Sequence, residues 1–399
     1  MSVSDLPLQD VRILAVEQYG AGPYATQHLA ALGAEVIKIE PPVGGDSARQ
    51  AGPHFLGPNE SQFFQAFNLG KKSLALDIRK DEGKAIFRRL VATADGVLNN
   101  LRGDQPAKLG LDYQNLGGAK PSIVCAHLSG YGRTGSRAAW PAYDYLMQAE
   151  AGFMSVTGEP DQPPTRMGLS IVDYLTGITT AFALTTALYG ALRTGRGRDI
   201  DVTLYDVAIH QLTYPAVFVM NANDPIVRRP RSGHPTVVPC ETFSTADGKL
   251  FVMAMLPRFW EELCAVLGEP ELSQDVRFSK PAARLANRDA LIAIFDPIFQ
   301  TQTTAAWMAR LAGRVPAAPV LTLTEALANP FLAEREMVQS LEHPLRPDWK
   351  ALTSPVRPDD RPAIARPAPM LGQHTDEILD RIGIDAGARS ALRVNGVIG

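Results

Sequence analysis

The sequence predicts an α/β protein with two domains, in which a large domain contains an open, mostly parallel sheet and a smaller domain is α+β. Three observations support this prediction. The chain has 399 residues, which is more than one ordinary compact core holds. Strand-like and helical runs alternate through its first half. A stretch rich in Pro, Gly and Arg then interrupts the alternation after residue 221.

The first part of the large domain, residues 1–221, is predicted to be Rossmann-like, with helices covering both faces of the sheet. Its strand-like runs are, in order, VRILAVE, EVIKIE, SLALDI, GVLNN and SIVCAHLS. In open parallel sheets, ligands bind beyond the carboxyl ends of the strands. The candidate binding loops therefore follow Glu17, Glu40, Asn100 and Ser129.

A long helix is predicted from Ile171 to Arg193, ending where Gly195 permits a left-handed cap. Residues 174–192 carry no charge, so this segment has the length of a membrane span. Its threonines and glycines dilute the apolar character. We therefore expect a helix that is buried in the large domain and packs closely through small residues.

Residues 222–238 are predicted to be a linker because their composition shows little periodicity. Residues 239–329 are predicted to form the smaller domain, beginning with a hairpin that turns at Ala246–Gly248. Residues 330–399 are predicted to be a second linker and a C-terminal segment that returns to the large domain. The many prolines after Glu342 predict irregular chain there, ending in a helix near Thr375.

Composition and motifs exclude several function classes. The balance of 39 Lys+Arg against 42 Asp+Glu gives no attraction to nucleic acid. Three cysteines without CxxC spacing and a start without a signal-like segment predict a reduced, cytoplasmic protein with no membrane attachment. GxGxxG, P-loop, HExxH and GxSxG motifs are lacking, so NAD, ATP, zinc and serine-hydrolase sites are disfavoured and no metal is expected.

Asp173 is the only charged residue between Arg166 and Arg193, and it lies in the first turn of the predicted helix. The helix N-terminus favours an anion, so we expect a deprotonated, nucleophilic carboxylate at neutral pH. Helix capping is the alternative role. Basic and amide side chains near strand ends are candidates to bind phosphate groups or, alternatively, are solvated surface residues; they are Asn68, Lys71, Lys72, Arg79, Asn100, Arg102 and Lys108.

A set of segments in fixed order resembles the family III CoA-transferases, the relatives of formyl-CoA transferase and carnitine CoA-transferase. The segments are GAGPYATQHLAALGAEVIKIEPPVGGD, NLGKKSLALDIRKDEGK, GVLNNLRGD, HLSGYG, the stretch around Asp173, ALRTGRGRDIDVTLYDVAIH and APMLGQHT. The resemblance implies transfer of CoA from an acyl-CoA donor, with succinyl-CoA as a candidate, to a carboxylic acid. It also implies an aspartyl anhydride and an aspartyl-CoA thioester at Asp173, no tightly bound cofactor, and a homodimer of interlocked, ring-shaped subunits.

The resemblance also assigns binding residues. It implies contacts with CoA from Gly20, Ala21, Leu76, Arg79, Asn100, Leu101, Arg102, Lys108, Tyr143 and Asp144. The last two match an active-site Tyr-Glu pair. Pro41 stands where an arginine contacts the adenine end in formyl-CoA transferase, and the glycine-rich loop over the oxalate site is missing. Only a short run near it remains, in which Gly233 and His234 are candidate substrate contacts.

Two other functions fit the same resemblance. The α-methylacyl-CoA racemases share the fold and use a histidine where this chain has Tyr143, and tyrosine is a poor proton acceptor at neutral pH. A CoA-binding protein without catalysis is the second alternative. The identity of the acid is open; Arg231 or His234 would suit the distal carboxylate of succinate, malate or mesaconate.

Overall fold

The computed structural model describes residues 6–363 and 365–399, which fall into two compact units. Unit 1 contains the chain through Ala151, Gly168–Leu212 and Pro330–Gly399, and unit 2 contains Gly152–Met167 and Thr213–Asn329. This division assigns residues 152–167 to unit 2. The domain limits given by the sequence stay a prediction.

The elements alternate between strands and helices through the first half of the chain. The strands are β1 (Arg12–Val16), β2 (Glu35–Glu40), β3 (Phe55–Gly57), β4 (Glu60–Ser61), β5 (Lys72–Ala75), β6 (Gly96–Asn99), β7 (Val124–Ser129), β8 (Arg198–Thr203), β9 (Cys240–Ser244), β10 (Lys249–Met253), β11 (Ala317–Pro319), β12 (Val338–His343) and β13 (Arg346–Leu352). The helices are α1 (Ala21–Ala31), α2 (Gln62–Phe67), α3 (Asp81–Val91), α4 (Pro106–Leu109), α5 (Tyr113–Leu116), α6 (Asp144–Glu150), α7 (Phe153–Val156), α8 (Ile171–Thr194), α9 (Leu204–Gln211), α10 (Thr213–Ala222), α11 (Pro257–Leu267), α12 (Pro281–Ala286), α13 (Arg288–Phe299), α14 (Thr304–Leu311), α15 (Leu323–Leu327), α16 (Pro330–Glu334), α17 (Thr375–Arg381) and α18 (Ala386–Val394).

The main sheet of unit 1 has six parallel strands in the order β5-β2-β1-β6-β7-β8. The predicted α/β class with a large parallel sheet is confirmed. The strand order reverses between β1 and β6, and such a switch point opens a crevice beyond the strands' carboxyl ends. The loops after Glu17 and Asn99 meet there.

Alternate residues of β1 belong to two apolar cores, as the two-residue period of a strand requires. Leu14 and Val16 join a core that includes residues of α3 and α17. Ile13 and Ala15 join a second core that includes residues of α1 and α8. The sheet is thus covered on both faces, which fixes the position of each strand end.

Helix α8 confirms the predicted helix and its end, since Gly195 adopts a left-handed conformation with φ of 69°. It is long and apolar enough to cross a membrane by length and composition. In the fold it packs against α1, β7 and β8. A Cβ added at Gly177 would lie 2.8 Å from the carbonyl oxygen of Ala21, so the close packing through small residues is confirmed. The expected burial holds for one face of the helix only, because Phe182, Tyr189 and Leu192 on the other face are exposed.

Unit 2 contains a three-stranded antiparallel sheet in the order β11-β10-β9, and the predicted hairpin is β9–β10. Its helices enclose an aromatic core that includes Trp260, Phe295, Phe299 and Trp307. The predicted small α+β part is therefore present.

The tail of unit 1 differs from its prediction as irregular chain. Residues 338–352 form the antiparallel hairpin β12–β13 before the proline-rich stretch. The predicted helix near Thr375 is α17, but it does not end the chain, because a further helix that the sequence did not predict, α18, follows it. Proline within a run argues against a strand, and Pro347 lies within β13. The strand is nevertheless possible because β12 and β13 form a separate two-stranded sheet, in which each strand is an edge strand and tolerates a missing N–H.

Candidate active site

The loop that follows β1 lies at the switch point and is held by the loop that follows β6. The side chain of Asn100 accepts from the N–H of Gln18 at 2.9 Å and donates to its carbonyl oxygen at 2.7 Å. The next turn starts helix α1 at Ala21, after Gly20. A Cβ at Gly22 would lie 2.9 Å from Cβ of Asn100, so the two loops are in close contact through a glycine.

Asp173 lies in the first turn of α8, and its carboxylate faces Gly20. A Cβ built on Gly20 would lie 2.6 Å from Oδ2 of Asp173, so only glycine leaves room for this carboxylate. The close packing of α1 on α8 brings the two together. The structure thus unites two predicted site residues that stand far apart in the sequence.

Asp144, at the start of α6, is a charged group that acts on Asp173. It is buried, its Oδ2 accepts from the N–H of Asp173 at 2.9 Å, and its Oδ1 accepts from Gln148 at 2.6 Å. Asp144 therefore stabilises the first turn of α8 in place of a side chain from Ser170, which makes no capping hydrogen bond.

The expectation that the helix N-terminus keeps Asp173 fully ionised needs a correction. Burial raises the pKa of Asp173 to about 7, and the negative charge of Asp144 adds to the rise. A substantial fraction of Asp173 is therefore protonated at neutral pH. A carboxylate with a raised pKa is also the more basic and reactive nucleophile when it is ionised.

An aromatic cluster borders Asp173, and the sequence analysis missed it. The ring of Tyr174 lies 5.0 Å from that of Tyr24 and 6.1 Å from that of Phe67. Phe63 extends the cluster from Phe67 to Tyr19, with ring distances of 4.9 Å to each. The sequence did contain one signal of this cluster: Phe63 and Phe67 are four residues apart, so they lie side by side on one face of a helix. Tyr174 follows Asp173 directly in the sequence, so the cluster lies next to the start of α8.

The predicted basic residues after β6 meet at one acid. Arg102 and Lys108 are exposed, and both bind the carboxylate of Asp104, at 3.0 and 2.7 Å. Hydrogen bonding from Lys108, and then from Arg102, lowers the pKa of Asp104 to about 2. Leu101, which precedes Arg102 in the loop after β6, is partly buried against the apolar core.

The other predicted CoA contacts are spread over the sheet edge. Leu76 is buried in the core after the edge strand β5, whereas Arg79 is exposed and pairs with Asp77 at 2.8 Å. Tyr143 is exposed beside Asp144, with 67% of its surface accessible. The structure therefore brings together Gly20, Ala21, Asp144 and Asp173, and it does not place Leu76 or Arg79 in contact with them.

Two further basic candidates are paired with acids. Lys71 is buried and binds Glu17 at 2.7 Å and Asn68 at 2.9 Å. Burial lowers the pKa of Lys71 to about 8 against the opposing effect of Glu17. Lys72 is partly exposed and pairs with Glu35 and Glu377. Both lysines thus neutralise neighbouring carboxylates of the fold.

Gly233 and His234 lie in unit 2. Nδ1 of His234 accepts from the N–H groups of Thr236 and Val237, so its proton is on Nε2, which faces the hydroxyl of Tyr214 at 3.2 Å. Burial, and then the charge of Arg288, lowers the pKa of His234.

Gly233 leaves space for a guanidinium, since a Cβ there would lie 1.8 Å from Nη2 of Arg288. Arg231 is occupied by an ion pair with both carboxylate oxygens of Asp296. In the described part of unit 2, these side chains thus have internal partners. Among residues 6–363 and 365–399, no cluster of His, Cys, Asp or Glu is arranged to hold a metal ion.

Known proteins are similar to this chain over nearly its whole length. The sequence profile of CoA-transferase family III matches residues 8–375. The chain belongs to CoA-transferase family III. It is 35% identical to the succinate–glutarate CoA-transferase of Agrobacterium fabrum, over 94% of this chain and 95% of the relative. It is 33% identical to the succinyl-CoA:mesaconate CoA-transferase of Haloarcula marismortui, over 95% and 97%.

The fold is similar to solved members of the same group. A CAIB/BAIF family protein from Brucella suis superimposes with a TM-score of 0.81 at 32% identity, covering 94% of this chain and 99% of that one. The resemblance inferred from the motifs is therefore confirmed, and this family III protein is a CoA-transferase.

Proposed function

We propose that this family III enzyme transfers CoA from succinyl-CoA to a dicarboxylic acid such as glutarate or mesaconate, with Asp173 as the nucleophile. The observation that carries the proposal is the Asp173 carboxylate, which lies against Gly20 at the switch point of the sheet with a pKa near neutrality. The relatives named above use succinyl or glutaryl groups by name, and they support the choice of substrates.

The proposed reaction has four balanced steps. An oxygen of Asp173 attacks the thioester carbonyl, the C–S bond breaks, and CoA thiolate leaves a mixed anhydride. The thiolate attacks the aspartyl carbonyl, which releases the donor acid and forms an aspartyl-CoA thioester. The acceptor carboxylate attacks this thioester, expels the thiolate and forms a second anhydride. Attack by the thiolate on the acceptor acyl group then regenerates Asp173.

The chain's own residues fit these steps. The unpaired N–H groups in the first turn of α1, which begins at Ala21, suit oxyanions that form during each attack. The rings around Tyr174 keep water from the anhydride. Asp144 accepts a hydrogen bond from the backbone N–H of Asp173, and its charge raises the pKa of the Asp173 carboxyl group.

The CoA site is proposed at the carboxyl end of the sheet. Gly20 and Ala21 border the reacting end, Asn100, Leu101, Arg102 and Lys108 follow β6, and Leu76 and Arg79 follow β5. Arg102 and Lys108 are exposed cations and suit phosphate groups once they leave Asp104. Tyr143 and Asp144 complete the set, and no tightly bound cofactor is required. In unit 2, Gly233 and His234 remain the proposed substrate contacts.

The assembly proposed for this enzyme is a cytoplasmic homodimer of interlocked, ring-shaped subunits. An exposed apolar stripe on α8 supports self-association, since monomers rarely expose such patches. Its members are Ile178, Phe182, Tyr189 and Leu192. A reduced interior with three buried free cysteines agrees with the compartment.

Trapping of the acyl-enzyme tests the function directly. The protein is incubated with succinyl-CoA and then with hydroxylamine, and peptide mass spectrometry locates the hydroxamate. We expect modification of Asp173 and no net transfer by Asp173→Ala. Modification at another residue, or full transfer by Asp173→Ala, would refute the proposed nucleophile.

The two alternative functions predict different results in exchange and binding assays. A racemase exchanges the α-proton of a 2-methylacyl-CoA for deuterium in heavy water without an acyl-enzyme. A CoA-binding protein binds acyl-CoA equally after Asp173→Asn and moves no labelled acid into thioester. A CoA-transferase shows isotope exchange between the free acid and its thioester that depends on Asp173.

A further inference from the structure

A buried charge pair lies beside the loop that faces Asp173. Lys38 on β2 and Asp46 in the following loop are both buried, and Nζ lies 2.8 Å from Oδ2. Lys38 also donates to the carbonyl oxygen of Glu17 at 2.9 Å. Asp46 accepts from the N–H of Tyr19 at 3.1 Å. The pair therefore holds the loop at its first and third residues.

The residue between these points is held as well. Asn100 bonds both backbone groups of Gln18, so side chains from outside the loop hold three consecutive residues. Tyr19 has a φ of 69°, in the left-handed region that side chains other than glycine disfavour. Such a conformation costs about 1 kcal/mol or more and persists only where its surroundings fix it. Its bond to Asp46 provides that restraint.

The held loop delivers Gly20 to the nucleophile. Gly20 follows Tyr19 directly, and its Cα lies so near Asp173 that a Cβ would come within 2.6 Å of Oδ2. A change in the backbone of Tyr19 therefore moves the surface on which the carboxylate rests. No hydrogen bond or ion pair joins Asp46 to Asp173 in the described chain, so Asp46 acts on Asp173 through the loop.

We propose that Asp46 is a positioning residue: by holding the N–H of Tyr19 it keeps Gly20 against Asp173 in the geometry that acyl transfer requires. The proposal rests on the proposed role of Asp173 as nucleophile. Buried ion pairs contribute little net stability compared with apolar side chains of similar volume, and a gain in conformational specificity is a use that fits this pair.

A purely structural role makes a different prediction. Asp46 also caps the short 3-10 helix Ser47–Gln50 by accepting from the N–H of Ala48 at 2.9 Å. Loss of a cap lowers the free energy of unfolding but leaves the kinetics of the remaining folded protein unchanged. Loss of positioning lowers kcat at constant KM and lets water compete for the anhydride.

The test uses Asp46→Ala in the full-length protein, with succinyl-CoA and glutarate as substrates, because alanine removes the acceptor for the N–H of Tyr19. We expect kcat to fall at least tenfold, KM for succinyl-CoA to change less than twofold, and the ratio of hydrolysis to transfer to rise. The matched control is Asp112→Ala, which also removes a buried capping carboxylate, at α5. It should keep the wild-type kcat and partition ratio. Equal kcat and partition ratios in Asp46→Ala and the control would overturn the proposal.

Trapping with hydroxylamine separates this proposal from the proposed function. If the wild-type protein gives no adduct at Asp173, the proposed function fails. If the wild type gives the adduct and Asp46→Ala forms it at the same rate, only the positioning role fails. A slower adduct at Asp173 in the folded variant, checked by near-UV circular dichroism, supports the positioning role.

A second pair of variants serves if Asp46→Ala does not fold. Tyr19→Gly and Tyr19→Asn both remove the ring, but glycine frees the loop whereas asparagine still favours a restricted backbone with positive φ. We expect kcat to fall several-fold further in Tyr19→Gly than in Tyr19→Asn. Equal kcat values in the two variants would overturn the proposal that restraint of this loop keeps Gly20 in position against Asp173.

Discussion

At the scale of single residues, function depends on carboxylates in contrasting surroundings. Asp173 has a raised pKa because it is partly buried beside Asp144, whereas Asp104 has a lowered one because Lys108 and Arg102 bind it. Asp46 is ionised because Lys38 lies 2.8 Å away. The same type of side chain thus has different properties in each place, according to what surrounds it, and it is the proposed nucleophile at position 173 and the proposed loop anchor at position 46.

The first prediction concerns Asp144→Asn and the pH dependence of acylation. In the proposed mechanism Asp173 attacks as the anion, so the rate of adduct formation should rise with pH through about 7 in the wild type. Removing the Asp144 charge lowers the pKa of Asp173, so the midpoint should move to lower pH by roughly one unit. Burial is the larger cause and stays, so the shift is partial.

This profile is measured as CoA released in a single turnover between pH 5 and 9. The control is Asp385→Asn, a carboxylate that caps α18 and leaves the surroundings of Asp173 unchanged. Its midpoint should equal that of the wild type. An unchanged midpoint in Asp144→Asn would show that the carboxylate of Asp144 does not act on Asp173 electrostatically.

The second prediction concerns Asp104→Asn and CoA affinity. Asp104 forms ion pairs with both Arg102 and Lys108, so a phosphate group must displace its carboxylate before it can bind to either cation. Removing this competing charge should lower the Kd for CoA several-fold, and less so for 3′-dephospho-CoA if the cations bind the 3′-phosphate. The effect should shrink as salt screens exposed charges.

Isothermal titration calorimetry at two ionic strengths measures this change. Asp81→Asn is the matched control, because Asp81 pairs with Lys84 at 3.0 Å on the surface of α3. It should leave the Kd unchanged. If Asp104→Asn weakens binding or behaves as the control does, the two cations do not form the phosphate site.

At the scale of elements, the site depends on how closely α1 and α8 approach one another. The sequence was sufficient for the strand pattern, for α8 and for its small-residue packing, because period and composition are local properties. It was insufficient for the Asp144–Asp173 bond and for the Tyr24–Tyr174 cluster, because tertiary contacts create both. The raised pKa of Asp173 follows from that burial and was likewise beyond the sequence pattern.

The third prediction compares Gly177→Ala with Gly190→Ala on the same helix. A Cβ at Gly177 would lie 2.8 Å from the carbonyl oxygen of Ala21, whereas nothing lies within 4 Å of one at Gly190. Gly177→Ala should therefore reduce the free energy of unfolding by about 1–3 kcal/mol and lower kcat, since α8 carries Asp173. Gly190→Ala should raise stability by about 0.5–1 kcal/mol. Urea unfolding measures both, and equal effects would contradict the close packing.

At the scale of the whole molecule, the exposed face of α8 requires an explanation. The opposite face of this helix contributes to the core of unit 1 through residues such as Leu184 and Ala187. The exposed side chains Phe182 and Leu192 show 72% and 84% of their surfaces. Exposed apolar side chains along one helix raise the free energy of an isolated monomer in water, because their hydration is unfavourable.

The fourth prediction is that this stripe is buried between two copies of the chain. Phe182→Asp should weaken the homodimer strongly, because a charge would enter an apolar interface. Val394→Asp is the matched control, since Val394 is 87% exposed on α18, outside the stripe. Light scattering after size exclusion should give twice the chain mass for the wild type and the control, and the mass of one chain for Phe182→Asp. A monomeric wild type would refute the proposed homodimer, and a dimer that survives Phe182→Asp unchanged would place its interface elsewhere than on α8.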